Sequence, residues 1–415
     1  MKVLWLTNII FPEALKLLSG ESEFKSSGGW MLSLANDLTA SNEVELSVAA
    51  VSSMVNTLTI LQGFKTTYYI IPWRRGDYFG SYRKDLIAIR DSAKPDIVHL
   101  HGTESMYGLY YVKACGSKNV VVSIQGVMKE IATHCNDGLS FCDLLSSVTL
   151  RDMLHRNTLF HTKRRFRQSA LLEDELLKMV SHVIGRTEFD KEFVHRVSPH
   201  SQYYHCNESL REEFYEGNWS FDTCVPHTVF ISQCTYPVKG LHQVAKVFPL
   251  LKDKYPDFQV RIAGLDVRST NTGYGKLLRN IFESNNLDEY VTFLGPLSAE
   301  EMKTEMLRAN VFISPSTIEN SPNSVGEAQM LGVPIIASAV GGVPSMIENK
   351  NCGHLYSFDD LDSLTQTICD VFDNSKKFNN TEMKHIASNR HNKKANTEAI
   401  LRTYHNIINS DEFKS

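Results

Sequence analysis

One stretch constrains this chain more than any other: Phe312 to Glu348, FISPSTIENSPNSVGEAQMLGVPIIASAVGGVPSMIE. Val311-Phe312-Ile313 is short and apolar and stops at Ser314-Pro315-Ser316, so it reads as a buried strand. A polar loop, 317–322, follows. Asn323 or Ser324 is expected to cap a helix that carries Glu327-Ala328-Gln329-Met330 and ends at Gly332. Val333 to Ala337 is the next strand, and it leads into Gly341-Gly342-Val343-Pro344 and another helix start. Strand, loop, helix, strand, Gly-rich loop, helix makes two consecutive units of a parallel α/β sheet.

The polar groups in this stretch point to chemistry. Glu319 lies in the loop after the strand, and Glu327 sits in the first turns of the helix. The helix start around Pro322, Asn323, Ser324 and Val325 offers unpaired N–H groups and a positive dipole end, which suit a phosphate. Glu319 can reach a hydroxylated group on one side of that phosphate, and Glu327 can reach hydroxyls on the other. A diphosphate with a sugar at one end and a ribose at the other fits. Two solvated glutamates beside a plain capping Asn323 would be the blander reading. It leaves Pro322, the Ser-Pro-Asn-Ser run and the second Gly-Gly loop unexplained.

The stretch ENSPNSVGEAQMLGVPIIAS resembles the donor-site signature of glycosyltransferase family 4 (group 1), retaining enzymes with the GT-B fold. The family carries two glutamates separated by seven residues, and Glu319 and Glu327 match. The resemblance implies that Glu319 contacts the transferred sugar, that Glu327 holds the ribose hydroxyls, and that the loop between them gives N–H groups to the diphosphate. It extends over nearly the whole chain and is similar to members that build polysaccharide, O-antigen or capsule.

Length and composition set bounds. At 415 residues the chain is too long for one ordinary core, so two domains are expected. The formal net charge of −4 gives no overall bias towards nucleic acid. No apolar run approaches a membrane span, and the N-terminus reads as a first strand instead of a signal peptide. The eight cysteines show no Cys-x-x-Cys spacing, which argues against a zinc site or disulfide framework and fits a cytoplasmic protein.

Candidate residues recur where strands meet helices. Gly28 and Gly29 precede a helix just after the first strand, where backbone can approach a ligand closely. In the string DIVHLHG, His99 and His101 point to the same side of a strand. The family pattern implies that the second histidine, His101, faces the donor sugar; His99 is expected to be structural. Gln125, at the end of VVVSIQG, and Arg186, at the end of HVIGRT, are expected at the same cleft. Arg186 could instead bridge Glu188 or Asp190. Lys239, before Gly240, is placed to neutralise phosphate. The family typically has an arginine six residues before that Lys-Gly pair, and here the position is Gln233. This departure removes one cation, and Arg186, Arg261 or Arg268 would have to substitute. Gly264 and Gly295 end strands at the nucleotide side, Gly295 near the base. The acidic run 359–362 is expected to cap a helix, and no metal is expected.

Arg151, Arg156, Lys163, Arg164, Arg165 and Arg167 form a basic segment interleaved with Leu154, Phe160 and Phe166. It is either a solvated face or a contact for an anionic partner: a membrane surface, or the diphosphate of a lipid-linked acceptor.

The expectation is thus two doubly wound, Rossmann-like parallel-sheet domains facing across a cleft. Residues 1–207 form the acceptor domain, 208–227 a linker, 228–392 the donor domain, and 393–415 a helix crossing back to the first domain. The implied function is metal-independent transfer of a hexose-type sugar, with retention, from a nucleotide-diphosphate donor to a glycan or polyprenyl-diphosphate-linked acceptor. No cofactor and no nucleic acid is expected. The protein is expected in the cytoplasm, peripherally on the inner membrane face. The alternatives are another GT-B enzyme, a sugar-nucleotide epimerase or hydrolase, and a non-catalytic nucleotide-sugar-binding protein.

Overall fold

The computed structural model describes residues 1–20, 29–76, 79–264, 266–267, 269–349 and 351–412. The chain divides into two compact units. The first comprises Met1–Met128, Gln168–Ser209 and the stretch from His391; the second comprises Lys129–Arg167 and Leu210–Arg390.

Among the described residues, the sheet of the first unit has eight strands. They are β1 (Lys2–Thr7), β2 (Glu45–Ser52), β3 (Thr59–Gln62), β4 (Thr66–Pro72), β5 (Ile97–His101), β6 (Val120–Ser123), β7 (His182–Gly185) and β8 (Gln202–His205). Their order is β3-β4-β2-β1-β5-β6-β7-β8. Every neighbouring pair is parallel except β3 with β4. The antiparallel edge strand β3 was not expected. Strands β5, β6 and β7 are buried along their whole length, as strands covered on both faces must be. The order reverses between β1 and β5, which opens a crevice at their carboxyl ends.

The helix Lys393–Glu412 belongs to this unit. Its Ile400, Tyr404 and Ile407 recur at one helical face and join Trp5, Leu34 and Leu38 in one core. Tyr404 Oη accepts from Trp5 Nε1 at 3.0 Å and lies 2.7 Å from His99 Nδ1. Its proton therefore goes to His99 Nδ1, and His99 Nε2–H donates to Ser123 Oγ at 2.6 Å. Burial keeps His99 neutral, with its pKa lowered to about 3, as befits a structural residue.

The sheet of the second unit contains β9 (Thr228–Ile231), β10 (Gln259–Ala263), β11 (Val291–Gly295), β12 (Val311–Ser314), β13 (Ile335–Ser338) and β14 (His354–Tyr356). Its order is β11-β10-β9-β12-β13-β14, parallel throughout, with the reversal between β9 and β12. Asp360 caps the helix Leu361–Asn374 by accepting from Ser363 N, so the acidic run has the expected capping role.

Two segments depart from the expected boundaries. Residues 129–167, expected in the first domain, group with the second unit. Leu159, Leu139 and Leu144 pack into that unit's core. His242 Nε2–H donates to Asp137 O at 2.8 Å, and Gly273 N donates to the Asp152 carboxylate at 2.6 Å. Nor is 208–227 a free linker. From Leu210 it belongs to the second unit, where Phe214 and Trp219 are core residues and Trp219 Nε1 donates to Ala309 O at 2.7 Å.

Candidate functional site

In the second unit the loops after β9 and β12, at the point where the strand order reverses, carry Gln233, Lys239 and Glu319. Pro237–Lys239 is a single helical turn that ends at Gly240, which has a φ of +71°. A Cβ at Gly240 would overlap the carbonyl oxygen of Pro315, so only glycine allows the two loops to close on each other. Thr317 N donates to Val238 O at 2.8 Å and fixes that approach. The result is that Lys239 Nζ lies 2.5 Å from Glu319 Oε1, which also accepts from Ser316 Oγ at 2.9 Å. On the other side Gly342 N donates to Glu319 O at 3.0 Å, and a Cβ at Gly341 would overlap that oxygen. The second Gly-Gly loop thus braces Glu319. The pair stays open to solvent, with the Lys239 and Glu319 side chains 31% and 17% exposed.

The helix Asn323–Leu331 starts differently from expectation. Pro322 occupies the N-cap position, and neither Asn323 nor Ser324 caps it; no side chain does. The proline's extended backbone sets the turn, and Val325 N bonds to Pro322 O at 3.0 Å. A helix start without a side-chain cap leaves backbone donors for an anion.

Glu327 is 3% exposed and is held by both sides of one guanidinium. Arg211 Nε donates to Oε1 at 2.7 Å and Nη2 to Oε2 at 2.8 Å, while the guanidinium lies 4.6 Å over the Phe214 ring. Burial pushes the Glu327 carboxyl above its usual range, and Arg211 opposes that shift. Arg211 had no sequence signal, being 116 residues from its partner.

Gln233 is turned onto its own loop. Its Oε1 accepts from Cys234 N at 2.9 Å, Thr235 N at 3.0 Å and Thr235 Oγ1 at 2.5 Å. Gly264 (φ +101°) packs against that same Oε1, whereas Gly295 (φ +68°) faces open space. Two of the substitute cations are engaged elsewhere. Arg261 is paired twice with Glu305, at 2.5 and 2.7 Å, and Arg186 pairs with Glu208 in the first unit. Arg268 lies outside the described residues.

The first unit gathers its candidates at the carboxyl ends of β5 to β8. His101 is 4% exposed, stacked at 3.9 Å on His99 and packed at 4.3 Å on Trp5. Neither of its ring nitrogens has a partner among the described residues. Burial, with help from His99 and Arg186, drives its pKa well below the ordinary value. Arg186 is buried, and its guanidinium lies 5.6 Å over the Trp30 ring. Its backbone N–H donates to Asp190 Oδ2 at 2.9 Å. Gln125 Nε2 reaches Glu208 Oε1 at 3.5 Å. Gly29 opens the helix Gly29–Ala40, and Gly28 lies outside the described residues.

Glu104 was missed from sequence. It closes the turn His101-Gly102-Thr103-Glu104, where Gly102 (φ +94°) leaves room for its carboxylate to fold back. Asn8 Nδ2 donates to Oε1, while Oε2 has no partner among the described residues and burial raises the pKa. The signal was a carboxylate three residues after a strand-end histidine.

Parallel sheets with crevice-forming loops at the point where the strand order reverses define a class, the doubly wound α/β proteins. Residues 226–390 match the family model described as glycosyl transferases group 1. A protein of Escherichia coli K12 named as a colanic acid biosynthesis glycosyltransferase (WcaL) is 27% identical over 136 residues, 31% of this chain and 32% of that protein. The chain thus aligns with about a third of that curated relative's length. Two solved structures share the GT-B fold. Sucrose-phosphate synthase from Thermosynechococcus elongatus has a TM-score of 0.74 at 14% identity, covering 99% of this chain and 100% of the other. Anabaena Alr3699/HepE in complex with UDP-glucose has a TM-score of 0.67 at 14% identity, covering 97% and 99%.

Proposed function

We propose that the chain is a retaining glycosyltransferase that moves a hexose-type sugar from a nucleotide-diphosphate donor to a glycan or lipid-linked glycan, without a metal ion. The observation that carries this reading is the Lys239–Glu319 pair, open to solvent and followed by a helix start that no side chain caps. On donor binding, Lys239 and the N–H groups at the helix start stabilise the charge that grows on the diphosphate as the sugar–phosphate bond breaks. Glu319 then accepts from a sugar hydroxyl, and Glu327, held by Arg211, accepts from the ribose. His101, neutral and buried, with neither ring nitrogen partnered among the described residues, is the group of the first unit suited to a sugar hydroxyl. The proton of the attacking hydroxyl leaves with a phosphate oxygen. The name of the E. coli relative and the UDP-glucose in HepE support a polysaccharide-building enzyme with a UDP-sugar donor. Acceptors of this kind place the enzyme at the inner face of the cytoplasmic membrane.

The test is a thermal-shift screen against UDP-, GDP-, ADP- and dTDP-linked sugars, with EDTA present. A donor that binds the native state raises the melting temperature by mass action, about 2.7 kcal/mol of stabilisation at a hundred times its Kd. One base should give a shift, and Glu327→Gln, which keeps the shape but not the charge, should abolish most of it. Sugar transfer from that donor with the anomeric configuration kept, read by proton NMR, completes the assignment. Gln233, engaged on its own loop where a cation was expected, favours the second reading, a non-catalytic binder. That reading requires a donor shift with no turnover towards any acceptor or water.

A further inference from the structure

Residues 141–167 leave an apolar and cationic surface that the described residues do not cover. The helix Phe141–Ser146 exposes Phe141 and Leu145, one turn apart. The helix Leu150–Leu154 exposes Leu150, Met153 and Leu154, and Phe160 follows in the next helix. Leu150 is 74% and Leu154 75% exposed, far beyond what a scattered surface leucine needs.

These side chains do not hold the segment in place. Its attachment to the second unit runs through other residues: Leu139, Leu144 and Leu159 in the core, the Asp152 carboxylate on Gly273 N, and Lys276 Nζ on Ser146 O at 3.2 Å. The outward apolar residues are therefore free to serve something else.

The charges select the occupant. The stretch carries Arg151, Arg156, Lys163, Arg164, Arg165 and Arg167 against two carboxylates. Both carboxylates are used locally: Asp143 in a capping box with Ser140, and Asp152 buried. Of the six cations, only Arg151 comes within 4 Å of a carboxylate among the described residues, at 3.8 Å from Asp152. Exposed apolar side chains in the same short segment as cations that have few carboxylate partners match a surface that is negative outside and apolar just beneath.

We propose that this face docks the protein on an anionic lipid surface, with Phe141, Leu145, Leu150, Met153 and Leu154 entering the interface and the cations meeting the headgroups. The proposal stands on the surface alone and does not require the transferase reading. Any enzyme with a lipid-linked acceptor would gain from it, because docking turns a search in solution into one along a surface.

The experiment is flotation of the full chain with vesicles of phosphatidylcholine alone or with about a third phosphatidylglycerol, at low and high salt. Binding should need the anionic lipid and weaken with salt, since screening acts on exposed charges. Leu150→Ser with Leu154→Ser, and separately Arg164→Gln with Arg165→Gln and Arg167→Gln, should each lower the bound fraction by about tenfold. Melting temperatures of both variants should match the parent, because these side chains are exposed. No binding by the parent, or binding unchanged in the leucine variant, overturns the proposal. Self-association in sedimentation velocity that the leucine variant abolishes, with no vesicle binding by the parent, would assign the face to a second copy and overturn it equally.

Discussion

At the scale of single residues, two acidic side chains separated by seven residues live in opposite environments. Glu319 is paired with Lys239 near solvent, and a pair so exposed adds at most about 1 kcal/mol to stability. Glu327 is buried against Arg211, and removing one partner of such a pair leaves an uncompensated charge, at a cost of about 3–5 kcal/mol. Arg211→Ala should therefore lower the urea unfolding free energy by roughly 3 kcal/mol, and Lys239→Ala by less than about 1 kcal/mol. Equal losses would mean that the burial difference does not govern the two pairs. The spacing in the sequence placed Glu319 in a loop after a strand and Glu327 on the following helix, where the structure has both. It could not supply Arg211 or Glu104. A partner 116 residues away is a product of tertiary packing that no local pattern encodes, and for Glu104 the one local cue, a carboxylate three residues after a strand-end histidine, does not say that it folds back over Gly102.

At the scale of elements, glycines set how closely the loops approach. Gly240 and Gly295 both have positive φ, +71° and +68°, but only at Gly240 would a Cβ meet backbone, the Pro315 oxygen. Gly295→Ala should cost about 1–2 kcal/mol, the left-handed penalty alone. Gly240→Ala should cost about 2 kcal/mol more, because the loop must also move, and it should weaken donor binding as Lys239 is displaced from Glu319. Chemical denaturation of the two variants checks the first effect, and titration with the donor checks the second. Matching losses would show that close packing at Gly240 is unimportant. The strand runs and their parallel alternation were legible because buried parallel strands are apolar throughout. The short helices of 129–167 were not assignable in the same way. An amphipathic pattern says that a face is covered, not which sheet covers it, and Leu139, Leu144 and Leu159 chose the second. Edge strand β3 escaped for a related reason: it is exposed on alternate residues and contributes little to the core.

At the scale of the whole molecule, both units bury histidines that folding keeps neutral. His99 and His101 lie in the first unit, with the pKa of His99 lowered to about 3 and that of His101 also well below normal. His242 lies in the second, lowered to about 4 by burial between Tyr274 and Asp137. In the unfolded chain each would titrate near 6.5. Above that pH neither state binds the proton and stability is unaffected. As pH falls from about 6.5 towards 4, the unfolded chain takes up protons that the folded chain refuses, so stability is lost. The loss is about 2 kcal/mol per histidine between pH 7 and 5. Glu104 and Glu327 act in the opposite sense: their raised pKa values make the folded state the better proton acceptor, which offsets part of the slope. The comparison that isolates the histidines is His242→Gln against the parent, since both share the two carboxylates. The variant loses the Tyr274 and Asp137 geometry at every pH, so its absolute stability falls. Its pH slope between 7 and 5 should nonetheless flatten by about one proton's worth, about 1.4 kcal/mol per pH unit at the steepest point. Urea unfolding across that range measures it. A slope identical to the parent's would mean that His242 accepts its proton in the folded state, and that a buried imidazole is not what makes this fold sensitive to acid.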